Sequence, residues 1–185
     1  MNIYHRYLDL AIDPKIDLFN RIEYDTTQYN HVKIEKEEIN PDIIDWLSRF
    51  DFTVNWFEAF YTPPNGGKLP IHTDSSRISD NVKINWTYGA PGSKLIWWEP
   101  KDDKCAKIVR TVFGTEYMTA DENDCIRLHE AEINQPSLVN AGRYHSTFNP
   151  TLEGRWTLSL PLLDKQSGDN VTWKDAVAKL NKIIK

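Results

Sequence analysis

The sequence predicts a mainly β domain in which a sandwich, jelly-roll or barrel core is flanked by helices. Between residues 53 and 162, segments rich in β-branched and aromatic residues alternate in polarity with period two and end at turn-forming residues. No helical segment separates successive strands, which argues against a parallel sheet of alternating strands and helices. Helical spacing occurs only on the two sides of this region.

The elements follow in order along the chain. A helix is expected from about Asp42 to Phe50, because Pro41 suits the first turn of a helix and an apolar stripe follows it. Eight strands are expected next, at Thr53–Tyr61, Val82–Tyr88, Lys94–Trp98, Ala106–Phe113, Cys125–Ile133, Ser137–Asn140, Tyr144–Phe148 and Arg155–Leu162. Each is closed by residues that favour turns. Apolar spacing returns to the helical period over Thr172–Lys185, which predicts a C-terminal helix.

Length and continuity predict a single domain. The chain has 185 residues without a repeat, a low-complexity segment or a Gly/Ser linker. We expect residues 1–52 to form helical or irregular support, residues 53–162 the β core, and residues 163–185 the C-terminal helix. Such a core commonly keeps one end open, and small ligands bind in concave openings of this kind.

Composition excludes several classes of protein. The net charge is -5 and no run of Lys and Arg is present, which disfavours a nucleic-acid partner. Cys105 and Cys125 lack the spacing of a zinc site, so both are expected to be free thiols. The N-terminus has no apolar signal-peptide region and no apolar run of membrane-spanning length occurs, so a cytoplasmic location without membrane contact is expected. The composition leaves the oligomeric state open.

A set of polar residues predicts a metal site. His72 and Asp74, in the segment LPIHTD, are two positions apart and point to one face of an extended segment. A hairpin closed by turn residues 149–154 would bring His145 beside Arg155 and Thr157. Two histidines and one carboxylate are the ligand set of non-haem Fe(II) oxygenases, and the planar fork of an arginine suits a carboxylate. The residues His72, Asp74 and His145 are called the triad below.

The order of these residues resembles that of the 2-oxoglutarate and Fe(II)-dependent dioxygenases, whose core is a double-stranded β-helix, a jelly roll of cupin-like type. The family pattern is His-x-Asp, a distal His, and then Arg followed two positions later by Ser or Thr. In this chain the pattern falls on His72, Asp74, His145, Arg155 and Thr157. The lead-in YTPPNGG before LPIHTD resembles that of prolyl-4-hydroxylase-like members, and GSKLIWWEP resembles the turn and strand that follow.

The resemblance implies roles for individual residues. The triad would hold Fe(II), and Arg155, aided by Thr157 and Tyr61, would bind the distal carboxylate of 2-oxoglutarate. The keto acid and O2 would take the remaining metal positions, with ascorbate as an optional reductant. The implied reaction is hydroxylation of an amino-acid side chain, in a peptide or a free amino acid. Strand alternation adds Asn85 as a further polar residue facing the cofactor, in preference to Lys83.

Three alternatives stay open. The spacing of His145, Asn149 and Arg155 also resembles the distal half of aspartyl/asparaginyl hydroxylases. A non-catalytic β-sandwich module could use the same aromatic residues to bind a sugar or a protein. A metal-dependent isomerase or dioxygenase of cupin type is disfavoured, because the His-x-His and Glu that cupins favour are absent.

The remaining candidate residues are interpreted as structural or solvent-exposed. Trp97 or Trp98 is the best candidate to line a pocket, although tryptophans on strands more often fill a core. Arg77 is interpreted as a solvated loop residue. The histidines outside the triad have no third ligand in register and are expected at the surface: His5, His31 and His129.

Overall fold

The computed structural model describes residues 2–14, 16, 25–77, 79–110, 114 and 116–185. Its strands are β1 (His5–Tyr7), β2 (Asn30–Glu35), β3 (Phe52–Thr53), β4 (Trp56–Thr62), β5 (Gly67–Lys68), β6 (Val82–Tyr88), β7 (Lys94–Pro100), β8 (Lys107–Arg110), β9 (Glu116–Thr119), β10 (Cys125–Ala131), β11 (Ser137–Asn140), β12 (His145–Asn149), β13 (Arg155–Pro161) and β14 (Leu163–Asp164). The helices are α1 (Pro41–Ser48) and α2 (Trp173–Lys179). The chain is therefore mainly β with flanking helices, which confirms the predicted fold class.

Two sheets face each other. The larger has the strand order β1-β11-β6-β13-β4-β2, and the smaller has the order β10-β7-β12-β5. Strands β4 to β7 alternate between the two sheets, and strands β10 to β13 then return along them. Strand β13 lies between β4 and β6, and β12 lies between β5 and β7. This interleaving of two antiparallel halves is the double-stranded β-helix form of a jelly roll.

Alternation along the strands gives the larger sheet two different faces. Residues such as Ile84, Trp86 and Leu158 lie in the main core cluster, which also contains buried residues of both helices. The residues between them, such as Lys83 and Thr157, point to the other face, which lies toward the smaller sheet. One face of the sheet thus packs against helices, and the other is free for polar chemistry.

The helix α1 begins as the sequence predicts. Pro41 occupies its first turn, and the side-chain oxygen of Asn40 accepts a hydrogen bond from the backbone N–H of Asp42 at 3.1 Å. Ile43 and Leu47 are fully buried, so this short helix is stabilised mainly by its apolar stripe.

The N-terminal region differs from the expectation. Residues 1–52 were expected to be helical or irregular, yet β1 and β2 form the two edges of the larger sheet. In β2, the alternate residues Val32 and Ile34 pack against the main core while the residues between them do not. The strand expected at Ala106–Phe113 is β8, and residues 111–113 lie outside the described residues.

No helix among the described residues has the length and hydrophobicity that crossing a membrane requires.

The main core predicts a matched pair of leucine substitutions. Leu158→Ala removes a fully buried side chain between the sheet and the helices, so the free energy of unfolding should fall by about 2–5 kcal/mol. Leu152→Ala changes a side chain that is 86% exposed, so the free energy of unfolding should change by about 0.5 kcal/mol or less. Urea denaturation measures both, and similar values for the two variants would contradict this core.

Candidate metal centre

Backbone pairing brings the two triad histidines together. His72 and His145 face each other in an antiparallel bridge, with N–H to carbonyl distances of 2.9 and 2.8 Å. His145 is the first residue of β12, and it pairs on its other side with Trp97 of β7. The backbone N–H of Asp74 donates to the carbonyl of Ala141 at 3.0 Å, which fixes the carboxylate beside the histidines.

The triad has the geometry of a metal site. The ligand atoms of its three side chains all lie within 4.8 Å of one another. The Oδ1 atom of Asp74 is 3.2 Å from Nε2 of His72 and 3.6 Å from Nε2 of His145. Ligands at about 2.1 Å on one face of an octahedron lie roughly 3 Å apart, so the two distances from Asp74 to the histidines are close to those of a facial arrangement.

Both imidazoles are held in the orientation that a metal requires. The Nδ1 atom of His72 lies 2.8 Å from the carbonyl of Pro70, and that of His145 lies 2.8 Å from the carbonyl of Arg143. A carbonyl only accepts hydrogen bonds, so each Nδ1 carries the proton and donates it. These hydrogen bonds turn the Nε2 atom of each ring toward Asp74, so Nε2 is the nitrogen that each histidine offers to a metal.

Burial reinforces this arrangement at His145. Its side chain is 9% exposed, and burial, followed by the neighbouring His72, lowers the pKa of His145 to about 4. The imidazole is therefore neutral at pH 7, as metal ligation demands.

A buried lysine connects the triad to a second carboxylate. The Nζ atom of Lys83 lies 2.7 Å from Oδ2 of Asp74 and 2.6 Å from Oε2 of Glu58. Glu58 is also 3.5 Å from Nε2 of His31. The lysine side chain is only 6% exposed, so its two carboxylate partners compensate for the loss of its hydration.

Opposing influences set the charges in this cluster. Burial alone would raise the pKa of Asp74, but Lys83, His145 and His72 outweigh it and hold the pKa well below its usual range. Burial likewise opposes ionisation of Glu58, and Lys83 reverses the effect, so the pKa of Glu58 is lowered. Burial opposes charge on Lys83, yet the two carboxylates raise its pKa. All three groups are therefore ionised at neutral pH.

The predicted co-substrate residues lie on the same face of the larger sheet as Lys83. In the pairing of β13 with β6, Thr157 is opposite Thr87 and Ser159 is opposite Asn85. Directly opposed residues share a face, and Lys83 lies two positions before Asn85. Arg155 and Thr157 therefore point to the interior that also contains Lys83.

Arg155 is a buried cation without a carboxylate partner. It is 2% exposed, and its Nη2 atom donates a hydrogen bond to Oγ1 of Thr87 at 3.3 Å. Among the described residues no carboxylate lies within ion-pairing distance of Arg155. The Nε atom of Arg155 and the Oγ1 atom of Thr157 are buried and find no hydrogen-bond partner in the described part of the chain. Burial lowers the pKa of Arg155 to about 10, which leaves it charged at neutral pH.

Tyr61 does not share this face. It pairs with Trp156 across β4 and β13, and the two rings pack in the main core with centroids 5.2 Å apart. Its hydroxyl lies against Gly154, where no space for a Cβ atom remains. The expectation that Tyr61 aids Arg155 is therefore corrected, because period-two alternation directs its side chain toward the helices.

Asn85 faces the interior but is already engaged. It is 8% exposed, and its Oδ1 atom accepts a hydrogen bond from the hydroxyl of Ser159 at 2.8 Å. Lys83, which the sequence placed second to Asn85, is the residue that contacts the triad. The available signal was a lysine as the single charged residue of the strand VKINWTY, because a buried lysine requires a carboxylate partner.

A cavity of about 540 Å³ opens onto His72 and Asp74 of the triad. Its lining combines aromatic, apolar and charged residues: Tyr29, His31, Lys33, Trp56, Glu58, Phe60, Leu69, Pro70, His72, Thr73, Asp74, Lys83 and Tyr117. The rings of His31 and Phe60 stack with centroids 4.6 Å apart. The aromatic residues of β2 and β4 were not predicted as site residues, since their shared face depends on the pairing of the two strands.

Several other expectations need correction. Trp97 and Trp98 do not line this cavity: Trp97 is fully buried with Leu95 and Val139, and Trp98 donates to the hydroxyl of Ser146 at 2.8 Å. His31 is part of the cavity and not merely a surface residue. His5 is 7% exposed and lies 3.3 Å from His129 through ring nitrogens.

Asn149 has a structural explanation. It is fully buried at the end of β12, where its side-chain N–H groups donate to the carbonyls of Pro63 and Glu153 at 3.1 and 2.7 Å. Its Oδ1 atom accepts from the backbone of Thr151. Asn149, whose spacing from His145 and Arg155 resembles that in aspartyl/asparaginyl hydroxylases, therefore stabilises a turn.

No protein-family model matches the chain, and no curated protein is similar to it in sequence. An RmlC-like cupin protein from Desulfovibrio desulfuricans superposes with a TM-score of 0.40 at 10% identity, over 79% of this chain and 94% of that chain. An oxalate oxidase with the substrate analogue glycolate gives 0.37 at 13% identity, over 88% and 65% of the two chains. A second oxalate oxidase structure gives 0.39 at 11% identity, over 92% and 76%. Similarity this distant carries no argument about function.

The triad predicts selective metal binding. Wild-type protein is expected to bind one Mn(II) ion per chain, and His72→Ala should weaken binding by about 100-fold or more because it removes one of three ligands. His129→Ala, a histidine outside the triad, is the matched control and should bind as the wild type does. Isothermal titration calorimetry measures all three, and equal affinities for wild type and His72→Ala would contradict this site.

Proposed function

We propose that the protein is a non-haem Fe(II) and 2-oxoglutarate-dependent dioxygenase that hydroxylates an amino-acid side chain in a peptide or a free amino acid. The observation that carries the proposal is Arg155, a buried cation without a carboxylate partner among the described residues, on the face of the larger sheet that Lys83 uses to reach the triad. A charge buried in this way is costly unless a ligand neutralises it. A carboxylate-bearing co-substrate would do so.

The triad fits Fe(II) by its donor set. Two Nε2 atoms and one carboxylate oxygen converge, and the Nδ1 hydrogen bonds of the two histidines fix the direction of both rings. This set leaves positions open on the metal, and it suits non-haem Fe(II) better than zinc in a closed site. Bound Fe(II) would supply the O2 chemistry that protein side chains lack.

Arg155 and Thr157 suit one end of 2-oxoglutarate. The Nε atom of Arg155 and the hydroxyl of Thr157 are buried polar groups to which no described residue is hydrogen-bonded, and both can donate to a carboxylate. Thr87 already orients the guanidinium by its hydrogen bond at 3.3 Å. The residues thus offer a preformed anion site whose occupation would satisfy donors that are otherwise buried at a cost.

The cavity supports a side chain as the substrate. Its volume of about 540 Å³ is within the range of small-molecule sites and reaches His72 and Asp74 directly. Aromatic residues such as Trp56, Phe60 and Tyr117 would exclude water from the substrate and hold it by apolar contact. Because Asn149 serves a turn, the structure adds no support for the aspartyl/asparaginyl branch over the prolyl-hydroxylase-like branch.

Turnover of 2-oxoglutarate tests the proposed activity. Protein incubated with Fe(II), ascorbate and labelled 2-oxoglutarate should release labelled CO2 and form succinate slowly even without its substrate. Asp74→Ala should abolish this turnover because it removes the anionic metal ligand. Wild-type protein that binds metal but neither binds nor turns over 2-oxoglutarate would overturn the proposal and favour a binding module.

Arg155→Met separates co-substrate binding from folding. The loss of charge-assisted hydrogen bonds should weaken 2-oxoglutarate binding to the Mn(II)-loaded protein by about 10- to 100-fold. Metal affinity should not change, and the free energy of unfolding of the metal-free protein should fall by no more than about 0.5 kcal/mol, because the substitution also removes an uncompensated buried charge. Arg110→Met, at an exposed arginine, is the control. A large loss of stability in Arg155→Met would instead indicate a structural arginine.

A further inference from the structure

The two oxygens of Asp74 have different partners. Oδ1 faces the Nε2 atoms of His72 and His145 at 3.2 and 3.6 Å. Oδ2 faces the ammonium of Lys83 at 2.7 Å, which is the length of a charge-assisted hydrogen bond. The carboxylate is thus divided between a metal-facing oxygen and a lysine-facing oxygen.

Lys83 is itself held in place from the opposite side. Its Nζ atom lies 2.6 Å from Oε2 of Glu58 and 5.7 Å from the centroid of the Phe60 ring. The lysine side chain is 6% exposed and extends from the middle of the larger sheet. Its ammonium is therefore restrained by two carboxylates, those of Asp74 and Glu58.

This division limits how Asp74 can bind a metal. A free carboxylate can ligate through one oxygen or through both. An oxygen already bonded to a buried ammonium is not available as a second ligand. Glu58 is restrained in the same way, because its carboxylate is drawn to Lys83 and not to the metal.

We propose that Lys83 is a positioning residue that restricts Asp74 to one metal-ligating oxygen and keeps Glu58 out of the metal coordination sphere. The inference rests on the proposed function, since it concerns the same metal site. Its consequence is that three coordination positions stay open for the co-substrate and O2. Without Lys83, Asp74 or Glu58 would supply a further oxygen and close one of them.

The number of water molecules on bound Mn(II) tests this role. Electron paramagnetic resonance in ¹⁷O-enriched water, at saturating protein, is expected to give about three bound water molecules for the wild type. Lys83→Met keeps an unbranched apolar side chain but removes the ammonium, and about two or fewer are expected. Lys83→Arg restores a cation that can bond Oδ2 and should return the count to that of the wild type.

Two further variants keep the result interpretable. Lys94→Met removes an exposed lysine that pairs with Glu130 at 2.9 Å, and its water count should equal that of the wild type. Lys83→Gln also removes the ammonium, with a side chain that is too short to restrain both carboxylates, and it replaces Lys83→Met in the test if that variant does not fold.

The failures of the two proposals differ. If the wild type binds Mn(II) with about three waters and folded Lys83→Met or Lys83→Gln does the same, the positioning role is overturned while the metal site stands. If Lys83→Arg does not restore the count, a positioning role for the cation is likewise overturned. If the wild type does not bind Mn(II) at all, the proposed function itself fails.

Discussion

The strict alternation of side chains across the larger sheet is the constraint on which both the core and the site depend. Along β13, Leu158 and Leu160 enter the core beneath the helices, so Arg155 and Thr157 must point to the other side. A slip of one residue would bury the polar set among the leucines and expose the leucines to the interior, at a cost of many kcal/mol. The apolar core therefore fixes the strand register, and the register decides that Arg155 and Thr157 point to the interior.

The sequence predicted the central strands well because both of their ends are marked by turn residues. The strands β6 and β11 were expected at Val82–Tyr88 and Ser137–Asn140, and those are their bounds in the structure. The edge strands β1 and β2 carry a mixed polar pattern and depend on a neighbouring strand for their backbone hydrogen bonds. Such strands have little local signal, because tertiary pairing decides their conformation.

Site residues that lie close together in the sequence could be predicted from their spacing. Residues that meet only through the pairing of strands far apart in the sequence could not. His72 and Asp74 are two residues apart, and the turn after β12 places Arg155 and Thr157 on one face. Glu58 and Lys83 lie on strands that are not adjacent, since β13 separates them, so no local pattern joins them. Tyr61 is a residue that the sequence wrongly placed in the site. A motif suggested a role for it, but strand alternation directs its side chain away from Arg155.

The paired histidines have a consequence for the order of events in folding. His72 and His145 become neighbours only when the smaller sheet has closed, because their backbones pair across a long separation in sequence. An unfolded or half-synthesised chain presents only the local pair His72 and Asp74, which is too few ligands to retain a metal. Closing so long a loop is slow, and it must precede any stabilisation of the fold by metal binding. Metal binding would therefore come late in folding, and only a chain with the complete jelly roll would bind the metal.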